Sequence, residues 1–179
     1  NVADDPTNDI NGAIDSCDFS DFPNSIFGCT GLTFHDITIP AGTALARFAL
    51  FDEYTDGNDD LDLYVWDAGW SQVGGSGSGT SAEQVDLVLP TDTIYHVGVH
   101  GWQTDGPDSN YTLFHWSVSA TPGGNLAVDS APASAALGST DPVDISWSGL
   151  APGKHLGAIS HSDGGGLIGL TAVSVENDD

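Results

Sequence analysis

The chain has 179 residues, 39% of them apolar, with 26 Asp and Glu against two basic residues, Arg47 and Lys154, and a formal charge of −24. That balance excludes a nucleic-acid binder and an anionic-membrane binder, both of which need a basic surface. The apolar fraction is enough for a packed core, which excludes a disordered chain, and no apolar run approaches the roughly 18 residues of a membrane-spanning helix.

The acids are 23 Asp and three Glu. Asp forms turns and caps and suits hard-cation sites in loops, so turn-rich β structure is the first expectation, with hydration in high salt a second use of the charge. The chain contains no Met, as a mature product or a piece of a longer precursor would not.

The leader carries Asp4, Asp5, Asn8 and Asp9, and Cys17 and Cys29 follow it. The loop between the cysteines is polar and contains Pro and Gly, which suits neither helix nor strand. A Cys17–Cys29 disulfide is the natural reading, and two free buried thiols are the alternative. Such a bond would stabilise by roughly 3 kcal/mol and implies an oxidising compartment, so the chain is read as secreted and extracellular. A zinc site would need more Cys or His at short spacing.

From residue 32 onward the apolar residues repeat with period two, the pattern of strands with one buried face. Strands are predicted over 32–39, 43–51, 61–66, 84–89, 94–101 and 111–119, each bounded by turn residues. The fold class is all-β, an antiparallel β-sandwich of jelly-roll type. Alternation points Phe48, Leu50, Leu61, Leu63, Val65, Val85, Leu87, Leu89, Tyr95, Val97 and Val99 inward, and Asp60, Asp62, Tyr64 and Trp66 outward. The linker TPGGN (121–125) separates a first domain, 1–121, from a small β-rich segment, 125–179. That segment is predicted to hold strands over 126–130, 143–148, 155–160 and 167–175.

The runs RFALFDE (47–53), DDLDLYVWD (59–67), GSGSGTSAEQV (75–85), IYHVGVHGW (94–102) and NYTL (110–113) together resemble the bacterial pre-peptidase C-terminal domain, over about residues 30–119. The segments APAS (131–134), SWSGL (146–150) and GLTAVSV (169–175) look like the extreme C-terminal segment of secreted subtilisin-like serine proteases. The resemblance implies a non-catalytic accessory region placed after a protease catalytic domain. Such a region either binds insoluble protein substrate such as collagen or is removed during maturation. An extension that docks on its own upstream catalytic domain and assists secretion, without substrate affinity, is the alternative, and a carbohydrate-binding module is a third.

Related sandwich domains of clostridial collagenases hold calcium between an acidic leader and acids beside the DLD strand. By that resemblance Ca2+ would lie among Asp59, Asp60 and Asp62 with leader oxygens from Asp4, Asp5, Asn8 or Asp9. The density of carboxylates from Asp52 to Asp62 supports it, while the other reading makes these residues solvated turn formers. An EF-hand is excluded, because Tyr54 and Leu63 occupy its third and twelfth positions.

No catalytic residue is assigned. Gly79 to Ala82 (GTSA) echoes the nucleophile motif of subtilisin-like proteases, but Glu83, Gln84 and Val85 continue it into a strand instead of a helix. Of the six histidines, His96 and His100 share a strand face about 13 Å apart, too far to grip one ion. They are expected to face solvent or pack on strands. Tyr64, Trp66, Trp102 and Tyr111 are the candidate substrate-binding aromatics, as an exposed strip able to meet a fibrous protein.

Overall fold

A computed structural model describes residues 1–5, 29 and 31–178. It is built from antiparallel strands, with no α-helix among the described residues. By chain contacts it divides into two compact units, Asn1–Ser117 and Val118–Asp179.

In the first unit β2 (Leu32–Thr38), β7 (Ile94–Gln103), β4 (Asp60–Trp66) and β5 (Gln72–Ser76) form a four-stranded sheet in that order. A second sheet orders β6 (Gln84–Val88), β3 (Thr43–Ala49) and β9 (Phe114–Ser119). The inner faces meet in one core of Phe48, Leu50, Leu61, Leu63, Val65, Val85, Tyr95, Val97 and Val99. These are the residues that period-two alternation turns inward, so the hydrophobic effect selects the register. The sheets approach so closely at Gly74 that a Cβ there would collide with Val85. Gly74 and Gly75 also explain why β5 is missed by alternation, since they supply no side chain to alternate.

The only Lys or Arg in this unit's sequence, Arg47, lies on β3 opposite Asp86 of β6 and grips it with Nε and Nη2, both at 2.7 Å. A bidentate, mostly buried pair of this kind fixes the strand register as well as the charge.

Two expectations are corrected. Leu89 does not point inward: it follows β6, is 57% exposed and has φ +49°, because the chain turns there before Pro90. Trp66 does not lie on a solvent-facing strip. It is fully buried in a second cluster on the outer face of the four-stranded sheet, with Leu32, Cys29, Phe34, Tyr64 and Trp70 around it. Its indole lies over Gly98 of β7, where a Cβ would come within 2.7 Å of the ring. Alternation puts Trp66 on the outer face of the sheet, but a face that points away from one core can be covered by another. Trp70, at φ +63°, stacks on His96 at 3.8 Å with parallel planes.

The leader joins this unit through β1 (Val2–Ala3), which pairs with β8 (Asp108–Ser109). Cys17 lies outside the described residues, and with it the expected pairing to Cys29.

The second unit contains two hairpins, β10 (Leu126–Ser130) with β11 (Asp144–Trp147), and β12 (Gly153–Asp163) with β13 (Gly166–Asn177). Leu126 of the first packs where a Cβ on Gly157 of the second would stand, 2.7 Å from its Cδ2. Asn125 Nδ2 donates to the carbonyls of Ser148 and Gly149, and Asn177 Nδ2 to that of Leu150. No described residue after Ser117 is fully buried. No helix among the described residues is long and apolar enough to cross a membrane.

Candidate functional site

The densest concentration of chemistry lies where the leader crosses the outer face of β7 and β4. Asp5 N–H donates to the Gly101 carbonyl at 2.9 Å, and Asp4 N–H to that of Pro107 at 3.2 Å. Two glycines make the approach possible. A Cβ on Gly101 would strike the Ala3 carbonyl oxygen, and one on Gly31 would stand 2.7 Å from the Asp5 Cβ. The leader is thus clamped by backbone that only Gly permits.

Register then decides which side chains meet. Asp62 of β4 pairs with His100 of β7, and both point outward beneath the leader. His100 Nε2 lies 2.9 Å from Asp5 Oδ2, and its Nδ1 lies 3.7 Å from Asp62 Oδ2. All three side chains are buried. Burial alone would lower the His100 pKa, but hydrogen bonds and charge from Asp62 and Asp5 outweigh it and raise the value above 6.5. His100 thus sits between two carboxylates that favour its protonated form. Tyr64 Oη donates to Asp62 at 3.1 Å, and burial pushes the phenol pKa well up.

Around this pair the remaining acids have separate tasks. Glu83, buried, accepts from Ser76 Oγ and, at 2.7 Å, from Ser78 N–H, which closes the loop between β5 and β6. Asp59 accepts from Asp105 N–H at 3.1 Å and Ser109 Oγ at 2.7 Å. Asp4 accepts from Thr104 N–H at 2.9 Å. Asp60 is left with a buried Oδ1 that has no hydrogen-bond partner, and its pKa is raised by burial and then by the charges of Asp62 and Glu83.

The described members of the calcium set, Asp4, Asp5, Asp59, Asp60 and Asp62, are not gathered at one point. Asp59 and Asp4 are spent on backbone amides and a hydroxyl, Asp5 is spent on an imidazole, and Asn8 and Asp9 lie outside the described residues. Among the described residues no three His, Cys, Asp or Glu side chains are placed to hold a metal ion. The position between Asp5 and Asp62, where a cation would balance the charge, is filled by His100. Of the described leader acids, Asp5 is joined to the DLD strand through His100, a residue that sequence reasoning missed. The one available signal was the shared face of the β4 acids and His100, which register alone converts into contact.

Ser81 of the GTSA segment is fully buried. Its Oγ donates to the Asp59 carbonyl at 2.8 Å and accepts from Leu61 N–H at 3.2 Å, so it ties a loop to the start of β4. Of the aromatics, Tyr64 and Trp66 belong to the outer cluster. Trp102 stands edge-on to His100, with ring centres 6.0 Å apart. Tyr111 lies on the opposite side of β2, with its hydroxyl 2.7 Å from His35 Nε2. The four candidate aromatics therefore do not form one strip. Burial raises the Tyr111 pKa to about 12 and lowers that of His35, so both are neutral near pH 7.

No family model matches the chain. Over 96 residues, 52% of its length, it is 31% identical to pyrolysin of Pyrococcus furiosus. The chain spans only 7% of that relative.

Proposed function

We propose that the chain is a non-catalytic accessory region of a secreted subtilisin-like protease and that it holds the enzyme on insoluble, collagen-like protein. The observation that carries this reading is the partial identity to pyrolysin, a subtilisin-like protease, in which the similar stretch is a small fraction of a much longer chain. The site described above is in keeping with an accessory region, since its Ser81 and His100 are buried and hydrogen-bonded within the fold.

The test is retention of the purified chain on insoluble collagen, with chitin and cellulose as controls. Retention on collagen alone supports substrate holding, and retention on the polysaccharides would make the region a carbohydrate-binding module. Expression of the parent protease with and without the region separates the docking alternative, because a secretion aid predicts lost yield of active enzyme with no collagen retention.

A further inference from the structure

We propose that Asp163, at the tip of the β12–β13 hairpin, is a self-modification site at which the chain converts aspartate to isoaspartate. That reaction asks three things of a fold: a glycine after the aspartate, an N–H of that glycine left out of the backbone ladder, and a carboxyl group laid across it. Among the described residues Asp is followed by Gly at 56–57, 105–106 and 163–164. The first two are held. Both oxygens of Asp56 accept from Asn110, one from its N–H at 2.8 Å and the other from its Nδ2 at 2.6 Å. Asp105 Oδ2 accepts from Asn58 N–H at 3.0 Å, while its own N–H donates to Asp59 and the Gly106 carbonyl accepts from Thr104 Oγ1. Each of these carboxyl groups is thus committed to a segment about fifty residues away in the chain.

Asp163 is placed in the opposite way. It pairs with Gly166, so Gly164 and Gly165 form a two-residue turn, and residues 162–168 are all exposed. Gly164 N–H makes no hydrogen bond among the described residues. Asp163 Oδ1 accepts from Gly165 N–H at 2.7 Å. A carboxyl group that reaches the amide two residues ahead passes over the amide between, so its Cγ is carried to Gly164 N. Nothing stands within 4 Å of where a Gly164 Cβ would be, and without that Cβ the peptide can turn into line for attack.

The chemistry needs only water. Gly164 N attacks Asp163 Cγ, the new C–N bond closes a five-membered succinimide, and the hydroxyl of the carboxyl group leaves with the amide proton as water. Water then adds back at one of the two ring carbonyls. Addition at the former main-chain carbonyl breaks its bond to Gly164 N and leaves the chain running through Cγ. The product carries one extra methylene in the backbone at the tip, which the closing pair Asp163↔Gly166 has no room to absorb.

The test incubates the whole folded chain at pH 5 and 37 °C, then unfolds and digests it and maps each site by electron-transfer fragmentation, which separates isoaspartate from aspartate. Isoaspartate is expected at Asp163 and not at Asp56 or Asp105, preceded by a species lighter by one water at Asp163. The same chain incubated in denaturant is expected to react at all three sites, because no contact then holds any of them. Asp163→Glu could close only a slower six-membered ring and is expected to lose the signal at that position. Gly164→Val puts a branched side chain beside the attacking nitrogen and is expected to slow the reaction. Should either variant disturb the hairpin, the site map of the unaltered chain decides the matter. Isoaspartate at Asp56 or Asp105 to the same extent as at Asp163 in the folded chain would overturn the proposal. So would an Asp163 that stays unmodified in the folded chain while it reacts in denaturant.

Discussion

His100 carries its charge because Asp5 and Asp62 close over it, and its stability contribution follows from that geometry. Its folded pKa is raised above the unfolded value near 6.5. The contribution is therefore fully present below about pH 6.5 and is lost as pH rises through the folded pKa. His100→Asn leaves two buried carboxylates without a cation and should destabilise by about 3–5 kcal/mol at pH 6. Thermal melts of the two proteins from pH 6 to pH 9 should show the gap narrowing as pH rises, and a constant gap would remove the ionic explanation. Leu89 makes the opposite case. It is exposed and left-handed, so Leu89→Gly relieves strain at no packing loss and should stabilise by about 1 kcal/mol in a denaturant titration.

Among the elements, β4 and β7 were legible because Leu61, Leu63 and Val65, and Tyr95, Val97 and Val99, alternate without interruption into one core. β5 was not, since QVGGS holds its place through backbone bonds and the smallness of Gly74. The outer cluster was misread for a related reason: period two tells which residues share a face, but whether that face meets water depends on distant segments. The candidate site was legible as acid density on the leader and β4 and illegible as a pairing, because His100 reaches Asp62 only through register and Asp5 only through the leader's path. That path can be tested at its narrowest point. Gly101→Ala places a methyl group against the Ala3 carbonyl oxygen and should release β1 while the two sheets persist. Limited proteolysis with a protease that cuts before Asp should then remove the first residues faster than in the unaltered chain, with circular dichroism unchanged.

For the whole molecule the ruling quantity is the charge of −24 carried on 179 residues. Self-repulsion of that size is relieved by any salt, so effects of calcium must be measured at constant ionic strength. With Asp4, Asp5, Asp59 and Asp62 already engaged by amides, hydroxyls and His100, millimolar calcium after EDTA should raise the melting midpoint by less than about 2 °C, less than the several degrees a tightly held ion gives. A larger calcium-specific rise would point to an ion at Asp60, whose buried Oδ1 has no hydrogen-bond partner among the described residues. In the second unit the two hairpins stand with no fully buried residue among the described ones, so their order comes from backbone ladders and from the asparagine caps at Asn125 and Asn177.

The leader's clamp also bears on the order of assembly. Its bonds join positions nearly a hundred apart in the chain, Asp5 to His100 and Asp4 to Thr104. Loop closure over that span adds only modestly to the entropy cost, but the receiving surface does not exist until β4 and β7 have paired. Residues that precede the sheet in the chain are in this way among the last to find their native place. The emerging chain carries them as a loose acidic thread until the sheet is built to receive it.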